Sequence, residues 1–171
     1  MCGIVGYVGG QEAWPIIYEG LRRLEYRGYD SAGIAVVDPH GDIQLRKTVG
    51  KVSGLERTGE HPNGSVGLGH TRWASVGVIS EPNAHPLDSH ELGHPNHPYV
   101  AAVLNGDIDN YADLIELHDL EVAPEITTDA KIVPTLLSRK LTTGSENIEA
   151  FRTTVSAFEG SMAIVSHCAD E

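Results

Sequence analysis

Short apolar runs rich in β-branched residues recur along the chain, and they constrain its fold more than any other feature of the sequence. Runs of this length, bounded by glycines and turn residues, are typical of buried β-strands. Longer segments with a helical period lie between and after them. The predicted strands cover residues 2–9, 32–37, 43–49, 66–73, 99–104 and 161–166, and the predicted helices cover residues 11–26, 111–120, 129–141 and 146–158.

The predicted strands at 32–37 and 43–49 flank a turn made of Pro39, His40 and Gly41, which indicates a β-hairpin. Predicted strands outnumber predicted helices, and they gather in hairpins instead of alternating strictly with helices. This arrangement favours antiparallel sheets covered by helices, an α+β fold. Because the strands are apolar on both sides, we expect both faces of a sheet to be covered.

The first predicted helix carries its apolar side chains on one stripe, formed by Ala13, Ile17, Leu21 and Leu24. Gly28 is expected to end this helix as a glycine cap. Pro134 counts against a regular helix at 129–141. The segment 77–98, rich in proline and histidine, is predicted to be a long loop.

Composition and charge disfavour several classes of function. The 171 residues suit one domain, and the formal net charge of −12 repels phosphate backbones, so no nucleic acid is expected as a partner. No apolar stretch approaches the ~20 residues that a membrane helix needs, so no membrane is expected either. The two cysteines and the lack of a visible signal peptide favour reduced thiols and a cytoplasmic location.

Cys2 is the first candidate for chemistry. A small residue at position two generally allows removal of Met1, which would leave Cys2 with a free α-amine. Such an amine, with a pKa of ~7.7–8.0, can take the proton of the neighbouring thiol, the same logic that N-terminal threonine nucleophiles use. A small buried cysteine at the start of a strand is the alternative interpretation of Cys2 taken alone.

Five sequence segments, taken in their order along the chain, support a functional role for Cys2. They read MCGIVGYVG at 1–9, GLRRLEYRGYDSAGIAVVD at 20–38, GHTRWAS at 69–75, NAHP at 83–86 and NGDIDNYADL at 105–114. Together they resemble the class II, or N-terminal nucleophile, glutamine amidotransferases. Within that group, residues 21–33 resemble the glutaminase domain of the glucosamine-6-phosphate synthases. The resemblance covers essentially the whole chain.

This resemblance implies a four-layer α/β/β/α sandwich, which agrees with the antiparallel sheets expected above. It also implies hydrolysis of L-glutamine to glutamate and ammonia by the Cys2 thiol, with no metal and no cofactor. In the glucosamine-6-phosphate synthases the ammonia reaches a sugar-phosphate isomerase domain that binds fructose 6-phosphate. Residues 1–171 are expected to be one amidotransferase domain, incomplete at its C-terminus and without that isomerase domain. An exposed sheet edge would require a partner. A homodimer is one of the alternatives for that partner.

The resemblance also assigns residues of a glutamine site. The Asn105 side chain and the Gly106 backbone N–H match the oxyanion hole, whose donors stabilise the charge of the tetrahedral intermediate. Arg72 matches the residue that holds the substrate carboxylate, for which a planar guanidinium is well suited. Asp129 matches the residue that holds the substrate amine. Ser75 keeps the hydroxyl that the family commonly supplies with threonine.

Four further residues complete the expected site. Trp73 is either a core aromatic or a wall of the glutamine pocket. Val76 stands where the family usually has histidine, a change of little consequence if only its backbone contributes. Arg27 and Asp30 are expected to support the geometry of the site.

Each assigned residue has an alternative that involves no substrate. Taken alone, Arg72 fits a surface salt bridge, Asp129 a helix cap in TTDAK, and Ser75 an ordinary turn. The pair of Asn105 and Gly106 fits a turn after a strand.

Two departures from the family pattern adjoin the expected oxyanion hole. Leu104 replaces the usual histidine, and Asp107 replaces a usual aliphatic residue. A fixed negative charge there would oppose the developing oxyanion unless it points away. These changes motivate a second hypothesis, a weakly active or inactive glutamine-binding regulatory module fused to a sugar-phosphate isomerase-like domain.

His90, His94 and His97 raise a metal hypothesis. Their spacing is loose and proline-rich, no cysteine accompanies them, and the pattern matches none of the usual zinc sites. A solvated loop is the favoured interpretation of this segment.

Overall fold

The computed structural model describes residues 1–94 and 99–169, which form two antiparallel sheets with helices on their outer faces. The strands are β1 (Gly3–Val8), β2 (Ser31–Val37), β3 (Ile43–Val49), β4 (Val66–Arg72), β5 (Leu87–Asp88), β6 (Val100–Ile108) and β7 (Gly160–Cys168). The helices are α1 (Ala13–Leu24), α2 (Tyr111–His118), α3 (Ile132–Thr142) and α4 (Asn147–Val155). Short 3₁₀ turns span Glu25–Arg27, Val52–Arg57 and Asp129–Lys131.

The first sheet has the strand order β1-β4-β2-β3, and the second has the order β5-β6-β7. All strand pairs in the described part are antiparallel, and β2 with β3 forms the predicted hairpin. The two-residue strand β5 lies inside the segment 77–98 that was predicted to be a loop. β6 also differs from the prediction, because it does not end at Leu104 but continues to Ile108.

Buried clusters define four layers. α1 packs on the outer face of the first sheet through a cluster that includes Ile17 and Ile34. Leu68 and Val103 belong to a second cluster that fills the space between the two sheets. Leu136 belongs to a third, between the second sheet and the helices that cover it. The predicted α+β fold, a four-layer α/β/β/α sandwich, is confirmed.

Alternation of side chains along the strands decides which residues face the space between the sheets. On β4, Leu68 faces this space, so His70 and Arg72, two and four residues later, face it as well. On β1, Ile4 packs against the same inter-sheet cluster, which puts the side chain of Cys2 on that face too.

The same alternation applies to β6 in the second sheet. Val103 packs between the sheets, and Asn105 and Asp107 follow it at two-residue steps on the same face. The polar ends of β1, β4 and β6 therefore meet at one end of the inter-sheet space.

α1 buries three of the four residues of the predicted stripe, Ala13, Ile17 and Leu21, and the fourth, Leu24, is half-buried. Its C-terminal end differs from the prediction, because the helix ends at Leu24 and a 3₁₀ turn follows. Gly28 has a φ of −177°, which is extended backbone and not a left-handed cap. Glycine is needed there for space, because a Cβ would lie 2.9 Å from the carbonyl carbon of Arg72.

Two further observations concern the helices. Pro134 lies in the first turn of α3, where backbone N–H groups have no intrahelical acceptor, so the helix is regular in spite of it. Across the described ranges, every helix is too short or too polar to cross a lipid bilayer.

β7 forms one edge of the second sheet, and its side chains are exposed or half-buried. That this edge is covered by a second copy or by a further domain stays a prediction.

Candidate active site

The candidate site lies along the edge of β6 that faces β5. β5 pairs only with residues 101 and 102, and farther along this edge side chains bind the backbone of Leu104 and Ile108. Leu104 N–H donates to His85 Nδ1 at 3.4 Å, and His70 Nε2 lies 3.0 Å from Leu104 O. Two buried imidazoles therefore replace a neighbouring strand at this point.

Asp129 binds the same edge farther along. Its Oδ2 accepts a hydrogen bond from Ile108 N–H at 2.8 Å, and its Oδ1 accepts one from Thr128 Oγ1 at 3.2 Å. Burial raises the pKa of the Asp129 carboxyl, the two hydrogen bonds lower it, and the charge of Asp107 raises it again. Thr128 occupies the N-cap position of the following 3₁₀ turn, so the helix-cap interpretation of Asp129 is wrong.

Cys2 precedes β1 and is half-buried, so it is not the buried structural cysteine of the alternative interpretation. Gly3 pairs with Thr71, which puts Cys2 opposite Arg72. The Cys2 Sγ accepts a hydrogen bond from Trp73 N–H at 3.3 Å and lies 3.4 Å from Trp73 O, to which the thiol can donate. The backbone after β4 thus fixes the position of the sulfur.

Met1, the residue before Cys2, contacts Arg27. Its N-terminal ammonium donates to Arg27 O at 2.8 Å, and Arg27 Nη2 lies 3.6 Å from Met1 Sδ. Met1 is 77% exposed, so an aminopeptidase can reach it. Arg27 contacts the start of the chain, and its supporting role stays a prediction.

Asp30 ties together the backbone on both sides of Trp73. Asp30 N–H donates to Arg72 O at 3.0 Å, and Asp30 Oδ2 accepts from Ala74 N–H at 3.0 Å. Because Trp73 in turn contacts the sulfur of Cys2, Asp30 fixes the segment that positions this sulfur.

Arg72 is 3% exposed, so its interpretation as a surface salt bridge is wrong. Its Nη1 donates to Val78 O at 3.1 Å, and its Nη2 donates to Val76 O. Burial lowers the pKa of Arg72, and negative charges that include Cys2 and Asp129 oppose that shift. Arg72 is therefore close enough to both groups to interact with them electrostatically.

Asn105 and Gly106 lie inside β6, so their interpretation as a turn is wrong. Asn105 Oδ1 lies 2.8 Å from His70 Nε2. Gly106 has a φ of +104°, and a Cβ at this position would lie 1.9 Å from Ser161 O. Only glycine fits here, because β7 approaches the backbone too closely for any side chain.

Three residues follow Arg72 in the loop after β4. The Trp73 side chain is 53% exposed, so it is not a core aromatic, and its role as a pocket wall stays a prediction. Ser75 Oγ donates to Asp107 Oδ1 at 2.6 Å. Val76 contacts Arg72 through its backbone carbonyl, so the departure from the family's histidine leaves this contact intact.

Leu104 is 2% exposed and belongs to the cluster between the second sheet and its helices. Its side chain therefore points away from Cys2, on the opposite face of β6 from Asn105. The missing histidine at this position changes the packing under the helices and not the lining of the site.

Sequence reasoning did not single out His70 and His85. Their rings lie 4.4 Å apart between centroids, and both are buried. The signal was present for His70, because two-residue alternation from Leu68 through His70 to Arg72 places all three on one face. No local pattern would have paired His85 with it.

The metal hypothesis involved His90, His94 and His97. His97 lies outside the described residues, so the structure does not test the set. Within residues 1–94 and 99–169, the histidine, cysteine and acidic side chains form no group of three suited to a metal ion.

The chain is similar over nearly its whole length to glutamine–fructose-6-phosphate aminotransferases. It is 47% identical over 169 residues to that of Gluconobacter oxydans, covering 96% of this chain and 26% of the relative. It is 42% identical over 170 residues to that of Leifsonia xyli, covering 97% of this chain and 27% of the relative. The chain thus spans about a quarter of the length of these relatives. No model of a protein family matches it.

Two solved structures share the fold. The glutamine phosphoribosylpyrophosphate amidotransferase of B. subtilis, complexed with ADP and GMP, superposes with a TM-score of 0.79 at 23% identity, covering 99% of this chain and 35% of that one. The allosteric regulatory enzyme of purine biosynthesis gives a TM-score of 0.81 at 24% identity, covering 99% and 36%. The sequence relatives show that the chain belongs to the class II, N-terminal nucleophile glutamine amidotransferases and corresponds to the glutaminase domain of the glutamine–fructose-6-phosphate aminotransferases, and the two solved structures show that it shares their fold.

Proposed function

We propose that the chain hydrolyses L-glutamine to L-glutamate and ammonia with the thiol of Cys2, after Met1 has been removed. The observation that carries the proposal is the shared inter-sheet position of Cys2, Arg72 and Asn105, next to the buried Asp129. A nucleophile, a cation, an amide donor and an anion in one cleft suit a substrate that carries an amide, a carboxylate and an ammonium group.

The nucleophile is activated by the chain terminus itself. Loss of Met1 frees the α-amine of Cys2, and an amine with a pKa of ~7.7–8.0 can take the thiol proton near neutral pH. The resulting thiolate accepts the hydrogen bond that Sγ already receives from Trp73 N–H.

Glutamine would be held at its α-carbon end by opposite charges. Arg72 uses one N–H on each Nη to hold Val76 O and Val78 O, which leaves three of the five donors of a guanidinium for the substrate carboxylate. Asp129 would accept the substrate ammonium, and Trp73 would form an exposed wall of the pocket. The Ser75 hydroxyl would assist carboxylate binding when it is released from Asp107.

Attack of the sulfur on the side-chain amide carbon forms a C–S bond and puts a negative charge on the amide oxygen. Asn105 Nδ2–H and Gly106 N–H would stabilise that charge. Leu104 N–H and Ile108 N–H both point to the free edge of β6, and alternation in an antiparallel strand favours the same direction for Gly106 N–H.

Collapse of the intermediate breaks the C–N bond. The protonated α-amine of Cys2 gives its proton to the leaving nitrogen, ammonia departs, and a γ-glutamyl thioester remains on Cys2. Water, deprotonated by the same α-amine, then attacks the thioester carbon. The C–S bond breaks, glutamate is released and the thiol is restored.

The ammonia acceptor is proposed from the names of the relatives. They act as glutamine–fructose-6-phosphate aminotransferases, and this chain spans about a quarter of their length. We infer that the ammonia is used by a sugar-phosphate isomerase domain in a longer cytoplasmic polypeptide. Fructose 6-phosphate is the acceptor that this assignment implies.

A glutamine-binding regulatory module is the second candidate function. The carboxylate of Asp107, on the same face of β6 as Asn105, favours it because a negative charge there opposes formation of the oxyanion. Both candidates require glutamine to bind, but only the first requires ammonia to be released.

The test compares ammonia release from glutamine by the wild-type protein, Cys2→Ala and Cys2→Ser, after intact mass has shown that Met1 is absent. We expect ammonia from the wild type and none from either variant. Equal release by Cys2→Ala would overturn the proposal. Glutamine binding by calorimetry without ammonia release, in protein that lacks Met1, would support the regulatory candidate.

A further inference from the structure

We propose that His70 is a positioning residue, which fixes the Asn105 side chain with its amide nitrogen directed into the site. This inference rests on the proposed function, in which that nitrogen stabilises the oxyanion. His70 belongs to the GHTRWAS segment, and the mechanism above gives it no other role.

The contacts of His70 define where its hydrogen lies. The ring is fully buried on β4, and Nε2 lies 3.0 Å from Leu104 O and 2.8 Å from Asn105 Oδ1. A backbone carbonyl can only accept, so Nε2 must carry a hydrogen. Asn105 must therefore present its oxygen to His70, and its NH₂ group is turned away from the ring.

The opposite orientation of the Asn105 amide is disfavoured by chemistry. It would place the Nδ2 hydrogens against the Nε2 hydrogen of His70, so that two donors would face each other in a buried place. An unsatisfied buried donor destabilises the structure that contains it. His70 thus selects one of the two amide orientations, the one that leaves the donor available to a substrate.

His85 reinforces this selection. Its Nδ1 accepts from Leu104 N–H, while His70 Nε2 donates to Leu104 O, so the two imidazoles hold both polar groups of the residue before Asn105. Burial lowers the pKa of His70 to about 4, and the charge of Arg72 lowers it as well. At neutral pH the ring is therefore neutral, with its single hydrogen on Nε2.

The test uses His70→Phe, which removes the donor, and His70→Gln, whose amide can still donate to Asn105. We expect His70→Phe to lower kcat ten- to a hundredfold, since loss of a whole oxyanion donor costs about a hundred- to a thousandfold. KM for glutamine should stay within threefold, and His70→Gln should retain more activity than His70→Phe. In an Asn105→Ala background, His70→Phe should have no further effect on kcat.

His167→Phe is the matched control. His167 is a half-buried imidazole on β7, and neither of its ring nitrogens has a partner in the described part of the chain. Its replacement should leave kcat within twofold, whatever it does to stability. The inference would be overturned if His70→Phe had the kcat of the wild type. It would also be overturned if His70→Phe lowered kcat by the same factor in the wild-type and Asn105→Ala backgrounds.

A separate readout distinguishes failure of this inference from failure of the proposed function. If the wild type releases no Cys2-dependent ammonia, the proposed function fails, and the inference is judged by the side-chain NH₂ signals of Asn105 in ¹⁵N-labelled protein. Those signals are assigned by their loss in Asn105→Ala. His70→Phe should shift them and His167→Phe should not; unchanged signals in His70→Phe would overturn the positioning role.

Discussion

Ser75 Oγ donates a hydrogen bond to Asp107 Oδ1 at 2.6 Å, which joins the loop after β4 to the strand that carries Asn105. The resemblance assigns the Ser75 hydroxyl to the glutamine site, but here it is directed to a carboxylate that the family usually lacks. Asp107 lies two residues from Asn105 on the same face of β6. Its charge therefore does not point away from the proposed oxyanion.

Asp107→Asn should raise kcat about tenfold. Side chains two residues apart on a strand are separated by roughly 7 Å, and two unit charges at that distance interact by about 2 kcal/mol at an effective dielectric constant of 20. Partial screening at this half-exposed position reduces that repulsion to about 1.4 kcal/mol, which is a factor of ten in rate. Ammonia release from saturating glutamine measures it, and the asparagine oxygen can still accept from Ser75.

Asp109→Asn is the control for this prediction, because Asp109 is exposed just beyond the end of β6. It removes the same charge from the protein and should leave kcat unchanged. A fall in kcat/KM in Asp107→Asn would contradict the prediction. It would indicate instead that Asp107 joins Asp129 in holding the ammonium group of glutamine.

The free energy of unfolding should fall as pH decreases from about 6.5 to about 4, because buried histidines stay neutral in the folded protein. Burial lowers the pKa of His70 from 6.5 to about 4, so in this window the unfolded chain binds a proton that the folded protein does not. The free energy of unfolding has its full value above the pKa that the histidine has in the unfolded chain. It falls as the pH decreases toward the pKa that the histidine has in the folded protein. The shift corresponds to about 3 kcal/mol for His70.

Urea unfolding at pH 7, 6, 5 and 4.5 measures this dependence. Burial also lowers the pKa of His85 and brings that of His167 to about 4, so both add to the trend. The raised pKa of Asp129 acts in the opposite direction, since its ionisation at higher pH is disfavoured in the fold. His70→Phe should flatten the dependence, and a wild-type stability that is constant from pH 7 to 5 would refute the explanation.

The sheets could be predicted from the sequence because apolar runs and turn residues are local signals. The hairpin of β2 and β3 follows from two strand-like runs on either side of a turn, and the buried stripe of α1 follows from its helical period. The end of β6 could not be predicted, since Asn105 and Gly106 are a turn signal taken alone. Pairing with β7 from Val100 to Ile108 overrides that signal.

The candidate site also has a part that the sequence predicts and a part that it does not. Cys2 and Arg72 could be found from motifs that are continuous in sequence. The contacts that orient the site join residues far apart, His70 with Asn105 across 35 positions and Ser75 with Asp107 across 32. These contacts depend on how the two sheets pack against each other, which no local pattern encodes.

Gly106→Ala should lower the free energy of unfolding by about 2–4 kcal/mol and reduce ammonia release. The new Cβ would lie 1.9 Å from Ser161 O, and the φ of +104° is strained for any residue with a side chain. Chemical denaturation and the ammonia assay measure the two effects.

Gly6→Ala in β1 is the control, because its Cβ would meet nothing within 4 Å. Its free energy of unfolding should stay within about 0.5 kcal/mol of the wild-type value. Equal stabilities of the two variants would show that β7 moves away from the new methyl group at little cost in free energy.

Glu91→Gln should lower the free energy of unfolding by about 3 kcal/mol, because it leaves Arg139 without its counter-charge. Glu91 is 2% exposed and binds Arg139 through both carboxylate oxygens, at 2.9 Å to Nε and 2.6 Å to Nη2. Arg139 also donates to His118 O, so the pair fastens the segment after β5 to α3 and to the end of α2. Urea unfolding measures the loss. Glu149→Gln is the control, since Glu149 and Arg152 form an exposed pair whose removal should leave stability almost unchanged. Similar losses in both variants would contradict the view that burial makes the first pair the stronger one.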